Sequence, residues 1–213
     1  MKTKYKAVFY DWDGCIAKTI DTWLEAYRHV LSEEGILVSD KQIITLFGNW
    51  EAPQILGHPN LNEATTKVLN FVHERINDVE AYDLSIDTIK KLKSEGVKVA
   101  ILTSSKCRTV QKSTTFKKLK LYIDLLLCAE DVNDHKPHPE IIQLGLSELN
   151  LKPEEILMIG DSDKDLGAAN SAGVDSVLYA PTYNRRFHDH DQLCDEFKPT
   201  YVFNKHDEIL QII

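Results

Sequence analysis

The fold is decided by residues 7–14, which read AVFYDWDG. Four apolar residues in a row are typical of a short strand that is buried on both faces. Two acids two residues apart, Asp11 and Asp13, follow this strand directly and precede Gly14. Ligands of open α/β sheets bind beyond the carboxyl ends of the strands. The stretch therefore predicts a central strand that ends at a polar functional site.

Short apolar runs alternate with segments of helical period along most of the chain, which is typical of a parallel sheet flanked by helices. The further predicted strands are residues 97–102, 123–128, 156–159, 176–179 and 201–203. The helices predicted between them are residues 86–95, 139–149 and 166–172. We therefore predict an α/β fold with a Rossmann-like parallel sheet as its core.

The segment 17–81 differs from the rest because helical patterns at residues 22–34 and 62–77 have no strand between them. A turn-rich stretch marked by Gly48, Pro53, Gly57 and Pro59 separates the two patterns. We predict a catalytic core formed by residues 1–16 and 82–213, with residues 17–81 inserted as a small helical cap.

Composition limits the classes of partner and location. The chain has 213 residues, 43% of them hydrophobic, and a net charge of −8, which argues against a nucleic-acid backbone as the main partner. No apolar run approaches the roughly 18 residues of a membrane span. The cysteines show no paired spacing, so we expect reduced thiols and neither a disulfide framework nor a zinc site; they are Cys15, Cys107, Cys128 and Cys194. We expect a cytoplasmic monomer or homodimer without membrane or nucleic-acid partners.

A second acidic group follows the apolar run 156–159 and contains Asp161, Asp163 and Asp165. If this strand neighbours the first one, the acids after both strands converge. Carboxylate oxygens are ligands that Mg²⁺ prefers, together with water and substrate phosphate. The alternative is that Asp and Gly simply form turns after strands.

Two further segments offer groups that could hold a phosphoryl group. Thr103, Ser104 and Ser105 supply hydroxyl and backbone donors at the end of another predicted strand, and Lys136 supplies a cation ahead of a helix. Each is weak evidence alone, because such hydroxyls also cap helices and most lysines are solvated. The evidence is stronger because both segments follow Asp11 and Asp13 in this order along the chain.

Taken together, these segments resemble the four motifs of the haloacid dehalogenase-like hydrolase superfamily. They are residues 11–14, Thr103, residues 136–140 and residues 160–165. Within that superfamily, the chain is similar to phosphatases with a helical cap inserted after motif one, the phosphoglycolate phosphatase and β-phosphoglucomutase-like group. The resemblance covers nearly the whole chain.

The resemblance implies that Asp11 attacks phosphorus and becomes an aspartyl-phosphate. Asp13 would protonate the leaving oxygen and later activate the hydrolytic water. Mg²⁺ would be bound by Asp11, the backbone carbonyl of Asp13, and Asp161, whereas Asp165 would act behind these ligands.

The resemblance also implies that Thr103, with Ser104, and Lys136 hold the phosphoryl oxygens. An acid at position 13 favours phosphate esters over carbon–halogen or carbon–phosphorus bonds as substrates. Two positions depart from the family pattern: Cys15 stands where Thr is common, and Lys18 where Asp is common.

The cap is expected to read the leaving group. Asn49, Trp50 and Glu51 occupy the position where related caps present a substrate-facing loop, although Trp50 could instead pack between cap helices. Trp23 and Tyr27, four residues apart on a predicted helix, are expected to be core contacts.

Residues 184–190 contain two histidines near Cys194, in a spacing that matches no zinc site. We expect this segment to be a polar surface loop, with Arg185 and Arg186 near an anionic substrate. Two alternatives to a phosphatase stay open, namely a phosphosugar mutase of the same family and a catalytically silent binding domain. The sequence does not name the phosphorylated metabolite.

Overall fold

The computed structural model describes residues 4–213 and contains one sheet of six parallel strands in the order β3-β2-β1-β4-β5-β6. The strands are β1 (Ala7–Tyr10), β2 (Lys98–Leu102), β3 (Leu125–Leu127), β4 (Ile156–Gly160), β5 (Asp175–Tyr179) and β6 (Tyr201–Phe203). The predicted fold class is confirmed.

The first strand lies in the middle of the sheet and is buried on both faces. Val8 and Tyr10 pack into one apolar cluster, and Ala7 and Phe9 into another on the opposite face. Such two-sided burial explains why β1 is continuously apolar rather than alternating.

Strand β3 begins later than predicted because Asp124 makes polar contacts at its start. The Asp124 carboxylate accepts a hydrogen bond of 2.7 Å from the backbone N–H of Val99 and pairs with Lys93. Regular pairing with β2 therefore begins at Leu125.

The helices are α1 (Ile20–Glu33), α2 (Asp40–Thr45), α3 (Ala52–Ile55), α4 (Leu61–Arg75), α5 (Ser85–Ser94), α6 (Cys107–Lys112), α7 (Thr114–Leu119), α8 (Glu140–Leu149), α9 (Asp163–Ala172) and α10 (His190–Phe197). Helix α9 starts three residues before its predicted start, because Ser162 and Asp165 form a capping box at its N-terminus.

Helices α1 to α4 share an apolar cluster of their own. The predicted turn-rich stretch between them also contains α3, where Pro53 occupies the first turn and its missing N–H removes no helical bond. Ala17 and Ala81 pair in an isolated antiparallel bridge, so the two connections to this helical segment run side by side. The domain boundaries at 16/17 and 81/82 stay a prediction.

The expectation that all thiols are reduced is wrong for one pair, since Cys107 and Cys128 form a disulfide. These residues are 21 apart in sequence, yet their Cα atoms lie 5.3 Å apart. They follow the carboxyl ends of the neighbouring strands β2 and β3, a proximity that sequence spacing alone does not reveal. Cys15 and Cys194 are free.

Within residues 4–213, no helix combines the length and the apolar composition needed to cross a membrane.

Candidate active site

The carboxyl ends of β1 and β4 bring three buried acids together. The strands are neighbours, and the N–H of Asp11 donates a 2.8 Å hydrogen bond to the carbonyl of Ile159. Carboxylate oxygens of Asp11, Asp161 and Asp165 all lie within 4.8 Å of one another. The convergence expected for neighbouring strands is therefore present.

Two glycines make this approach possible. A Cβ atom on Gly14 would lie 2.2 Å from Oδ2 of Asp161, and Gly14 also has a φ of +80°, which favours glycine. A Cβ atom on Gly160 would lie 2.2 Å from Cβ of Asp165. A side chain at either position would displace an acid of the cluster.

Lys136 lies between two of the acids. Its Nζ donates to Oδ1 of Asp11 at 2.6 Å, to Oδ1 of Asp165 at 2.6 Å and to the carbonyl of Leu102 at 3.1 Å. An ammonium group has three protons, so these contacts occupy all of its donors. In this conformation Lys136 neutralises the acids and has no donor left for a phosphoryl oxygen.

The acids differ in how burial and charge affect them. Burial, and then repulsion from Asp165, raise the pKa of Asp11 despite the opposing attraction of Lys136. Burial, and then repulsion from Asp165 and Asp11, raise the pKa of Asp161 well above its ordinary value. For Asp165, burial is outweighed by Lys136 and Ser162, which lower its pKa. Neighbouring positive groups thus do not fully compensate the ionised forms of Asp11 and Asp161.

This uncompensated charge fits a divalent cation. Both oxygens of Asp165 are occupied, one by Lys136 and the other by the N–H and hydroxyl of Ser162. Asp11 and Asp161 are therefore the better candidate ligands, and an oxygen-only donor set suits Mg²⁺. A bound cation would favour the ionised form of both.

Asp13 lies on the same cavity and accepts several hydrogen bonds. Its Oδ1 accepts from the hydroxyl of Thr19 at 2.5 Å and from the indole N–H of Trp23 at 2.9 Å. Its Oδ2 accepts from the hydroxyl of Ser105 at 2.6 Å and, more weakly, from that of Thr103 at 3.5 Å. Trp23, expected to be only a core contact, therefore also binds the predicted acid/base.

The segment after β2 contributes differently from each of its residues. Thr103 is fully buried, and its hydroxyl also accepts a hydrogen bond from the N–H of Ser105 at 3.0 Å. Ser104 and Ser105 line the cavity. Ser105, which the sequence offers only as one of three hydroxyl or backbone donors, is thus a site residue through its bond to Asp13.

The cavity between the sheet edge and the helical segment is small. Its volume is about 60 Å³, against roughly 10–15 Å³ by the same measure for one water molecule. The sheet side of its lining is polar, and the opposite wall is mainly apolar and aromatic. The wall residues contributed by the helical segment are Ile20, Trp23, Tyr27, Ile44, Phe47, Gly48, Asn49 and Trp50.

The predicted specificity residues separate into two groups. Asn49 and Trp50 line the cavity, and the indole N–H of Trp50 donates to the carbonyl of Ser104 at 3.2 Å. Trp50 also packs edge-on against Trp23, so the expected packing role is present as well. Glu51 is exposed and does not line the cavity. Its N–H bonds to Asn49 Oδ1 at the start of α3.

The loop after β5 is more than the polar surface loop that we expected. Asn184 is fully buried, and its amide donates to the carbonyl of Gly14 at 2.8 Å and to Oδ2 of Asp161 at 3.1 Å. His188 lines the cavity, and burial lowers its pKa to about 4, so it is neutral at neutral pH. Asn184 follows the carboxyl end of β5, and this position is the sequence signal that could have identified it.

The arginines of that loop lie elsewhere. Arg185 pairs with Asp191, and Arg186 pairs with Asp21, both on the exposed surface. Neither lines the cavity. The expectation that they lie near an anionic substrate therefore finds no support in this arrangement.

The two departures from the family pattern leave the site atoms in place. Cys15 is buried, and its thiol lies 3.7 Å from the carbonyl of Ile159. Lys18 points away from the cavity toward Glu80 and Asp83, at 3.8 and 3.6 Å.

The sequence profile described as "Haloacid dehalogenase-like hydrolase" matches residues 8–179. The chain belongs to this family. It is accordingly a hydrolase of the haloacid dehalogenase-like type, and its acidic motifs follow β1 and β4. The resemblance drawn from the four motifs is confirmed.

Curated relatives match the hydrolase along its whole length. Pyrophosphatase PpaX of Bacillus mycoides (strain KBAB4) is 28% identical over 220 residues, which cover 99% of this chain and 97% of that protein. Pyrophosphatase PpaX of Bacillus cereus (strain ATCC 10987 / NRS 248) is 27% identical over 214 residues, with the same coverage.

Solved structures share the fold of the hydrolase at lower identity. A predicted phosphoglycolate phosphatase from Haemophilus somnus 129pt superposes with a TM-score of 0.82 at 22% identity, covering 100% of this chain and 99% of that one. CbbY from Rhodobacter sphaeroides, in complex with phosphate, superposes with a TM-score of 0.80 at 18% identity, covering 96% of each chain.

Proposed function

We propose that this hydrolase is a Mg²⁺-dependent phosphatase that cleaves a small phosphate monoester through an aspartyl-phosphate on Asp11. The observation that carries the proposal is that Asp11 and Asp13 line one small cavity in different settings. Asp11 is buried beside Lys136, whereas Asp13 is surrounded by neutral hydrogen-bond donors. Two carboxylates in different environments suit two different roles.

Asp11 is suited to nucleophilic attack. Lys136 binds its Oδ1 at 2.6 Å, which orients the carboxylate and leaves Oδ2 for bonding elsewhere. In the first step, an Asp11 oxygen bonds to phosphorus while the bond from phosphorus to the ester oxygen breaks. Burial removes competing water from the nucleophile.

Asp13 is suited to proton transfer. It would give its proton to the ester oxygen as that oxygen leaves, and would then take a proton from the water that attacks the aspartyl-phosphate. This second step returns Asp11 as a carboxylate and releases inorganic phosphate. General acid/base assistance of this kind contributes about 10²- to 10⁴-fold in rate.

The Mg²⁺ ion would be held by the carboxylates of Asp11 and Asp161 and by the backbone carbonyl of Asp13. When bound, it neutralises phosphate charge and so lets an anionic nucleophile approach an anionic ester. Asn184 orients Asp161, and Asp165 keeps Lys136 beside Asp11.

The phosphoryl oxygens would be bound most directly by Ser104, which lines the cavity. The predicted contact from Thr103 requires its hydroxyl to donate to a phosphoryl oxygen instead of to Asp13, while it continues to accept from the N–H of Ser105. The predicted contact from Lys136 requires it to release the carbonyl of Leu102. Lys136 would then exchange the weakest of its three hydrogen bonds for a phosphoryl oxygen.

The small cavity favours a small phosphorylated metabolite. Pyrophosphate is a natural first test, because the curated relatives are named pyrophosphatases. The mutase alternative uses the same aspartyl-phosphate but returns the phosphoryl group to a sugar, so its turnover would depend on a sugar bisphosphate. A cytoplasmic location and a monomeric or homodimeric state remain predictions.

The proposal is tested by phosphate release from a panel of small esters and pyrophosphate, with and without Mg²⁺. Asp11→Asn should lower metal-dependent release by at least roughly 10³-fold, because it removes the nucleophile. Asp163→Asn is the matched control, since Asp163 is an exposed acid in the same motif as Asp161. Release by Asp11→Asn at the rate of Asp163→Asn would reject the proposal.

A further inference from the structure

We propose that Trp23 is a positioning residue for Asp13 and determines which carboxylate oxygen carries the transferable proton. The proposal rests on the acid/base role given to Asp13 above. It gives the helical cap a part in orienting the acid/base, in addition to covering the site.

The two oxygens of Asp13 are bound from opposite sides of the cavity. Oδ1 accepts from Thr19 and Trp23, which lie at the start of α1, whereas Oδ2 accepts from Ser105 after β2. Thr19 and Trp23 are four residues apart, and the N–H of Trp23 bonds to the carbonyl of Thr19 at 3.1 Å. Both donors therefore lie on one face of the same helical turn.

The donor chemistry makes the two oxygens unequal. An indole N–H can only donate, whereas a hydroxyl can rotate and accept. A proton on Oδ1 would face the indole N–H of Trp23, so the proton is directed to Oδ2. There the Ser105 hydroxyl, 2.6 Å away, can rotate to accept it or turn aside for the ester oxygen.

Packing holds the indole of Trp23 in place. The side chain is 4% exposed and makes edge-on contacts with Phe47 and Trp50, with ring centroids 6.2 and 6.3 Å apart. Trp50 in turn donates to the carbonyl of Ser104 at 3.2 Å. The two indoles thus connect the helical segment to Asp13 and to the loop after β2.

This arrangement couples the position of the helical segment to the orientation of Asp13. When the segment lies over the sheet edge, as here, Trp23 reaches Asp13; a displacement of α1 would remove both donors from Oδ1.

The test compares two esters that need the acid to different extents. An alkyl leaving group such as that of glycerol phosphate requires a proton, whereas the p-nitrophenolate ion leaves readily without one. Trp23→Phe keeps an aromatic ring but removes the donor. It should lower kcat/KM for glycerol phosphate roughly 10-fold more than for p-nitrophenyl phosphate, the loss expected for one hydrogen bond to a charged group.

Trp23→Gln provides the complementary variant, because it keeps an amide donor but loses the packing. A positioning role predicts that Trp23→Gln shows the smaller difference between the two esters, even if it is the less stable protein. A purely structural role predicts the opposite order. Trp50→Phe removes the indole bond to Ser104 instead, and it should lower kcat/KM for both esters by the same factor.

A double variant tests whether Trp23 acts through Asp13. In the Asp13→Asn background, Trp23→Phe should have no further effect on glycerol phosphate, because the group that it positions is gone. Equal effects of Trp23→Phe on both esters, or an undiminished effect in the Asp13→Asn background, would overturn the inference and leave the phosphatase proposal intact. Wild-type protein that hydrolyses neither of these esters, no other ester of the panel and no pyrophosphate with Mg²⁺ would overturn both.

Discussion

The two halves of the cavity differ in what they contribute. The sheet half holds the charged groups, which are the buried carboxylates of Asp11, Asp161 and Asp165 with Lys136 between them. The helical half is largely apolar, and its contacts with the sheet half include neutral indole N–H groups. Charge–charge interactions in a buried site are strong and depend on the distance between the charges. We therefore expect the chemistry to depend on the sheet edge, which fixes these distances, and the helical half to orient Asp13 and select the substrate.

Lys136→Met tests the sheet half and should have the largest effect. It leaves the carboxylates of Asp11 and Asp165 buried without their cation, which typically costs about 3–5 kcal/mol of the free energy of unfolding. Urea unfolding at neutral pH without metal measures the loss. Lys164→Met is the matched control; its partner Asp163 is exposed, so a change below about 1 kcal/mol is expected. Equal losses in the two variants would show that the buried pairing contributes little.

His206 tests how the sheet half is packed from behind, because its side chain bonds to the backbone just after Asp13 and Gly14. It is buried, donates to the carbonyl of Cys15 at 2.9 Å, and has its pKa lowered by burial to about 4. The unfolded chain has an ordinary histidine pKa of about 6.5. Between these values, the unfolded state therefore binds the proton first, and stability is lost as the pH falls from about 6.5 to about 4.

This single group should remove about 3 kcal/mol of the free energy of unfolding across that range. The free energy of unfolding of wild type and of His206→Gln is measured by urea unfolding at several pH values. The difference between the two proteins isolates His206, because the acids that both proteins share titrate equally in each. His206→Gln should flatten the acid side of the stability profile. Parallel profiles for the two proteins would contradict this prediction, because they would show that folding leaves the pKa of His206 unchanged.

Asn184→Leu tests how the sheet half is supported. Asn184 bonds to Asp161 and to the carbonyl of Gly14, and loss of such a contact behind a metal ligand typically costs 10- to 100-fold in metal affinity or activity. The Mg²⁺ concentration for half-maximal turnover should rise by about that factor. Asn170→Leu, at an exposed amide bonded to the carbonyl of Phe197, should leave the concentration unchanged. A normal Mg²⁺ requirement in Asn184→Leu would contradict the assignment of Asp161.

Trp50→Phe tests the helical half and should have the smallest effect. It removes one neutral hydrogen bond, from the indole to the carbonyl of Ser104, and keeps the aromatic contact with Trp23. A reduction in kcat/KM of about 3-fold is expected from the usual net value of such a bond. Steady-state kinetics with one ester suffices. A loss as large as that of Asn184→Leu would remove the distinction between the two halves.

The sheet half could be predicted because its residues follow strand ends. Apolar runs located β1 and β4, and parallel pairing then required Asp11 and Asp161 to meet at one edge. Asn184 also follows a strand end, that of β5, but its position alone does not show that the loop folds back over Asp161.

The helical half was predicted less well, because a helical period shows which face is buried but not which group that face meets. Trp23 satisfies the pattern of a core residue and is one, yet its N–H reaches Asp13. Glu51 was placed with Asn49 and Trp50 by position alone, although it directly precedes α3 and lies outside the cavity. The disulfide between Cys107 and Cys128 was missed for a similar reason, since it depends on which strands are neighbours.

The central claim, covalent catalysis by Asp11, is tested most directly by trapping the intermediate. Protein mixed with p-nitrophenyl phosphate and Mg²⁺ is quenched in acid and reduced with borohydride, which converts an aspartyl-phosphate to homoserine. Asp13→Asn should accumulate more intermediate, because it lacks the base for the second step. We predict homoserine at position 11 and at no other aspartate, and none in Asp11→Asn. Homoserine at another position, or rapid phosphate release without any at position 11, would contradict the account.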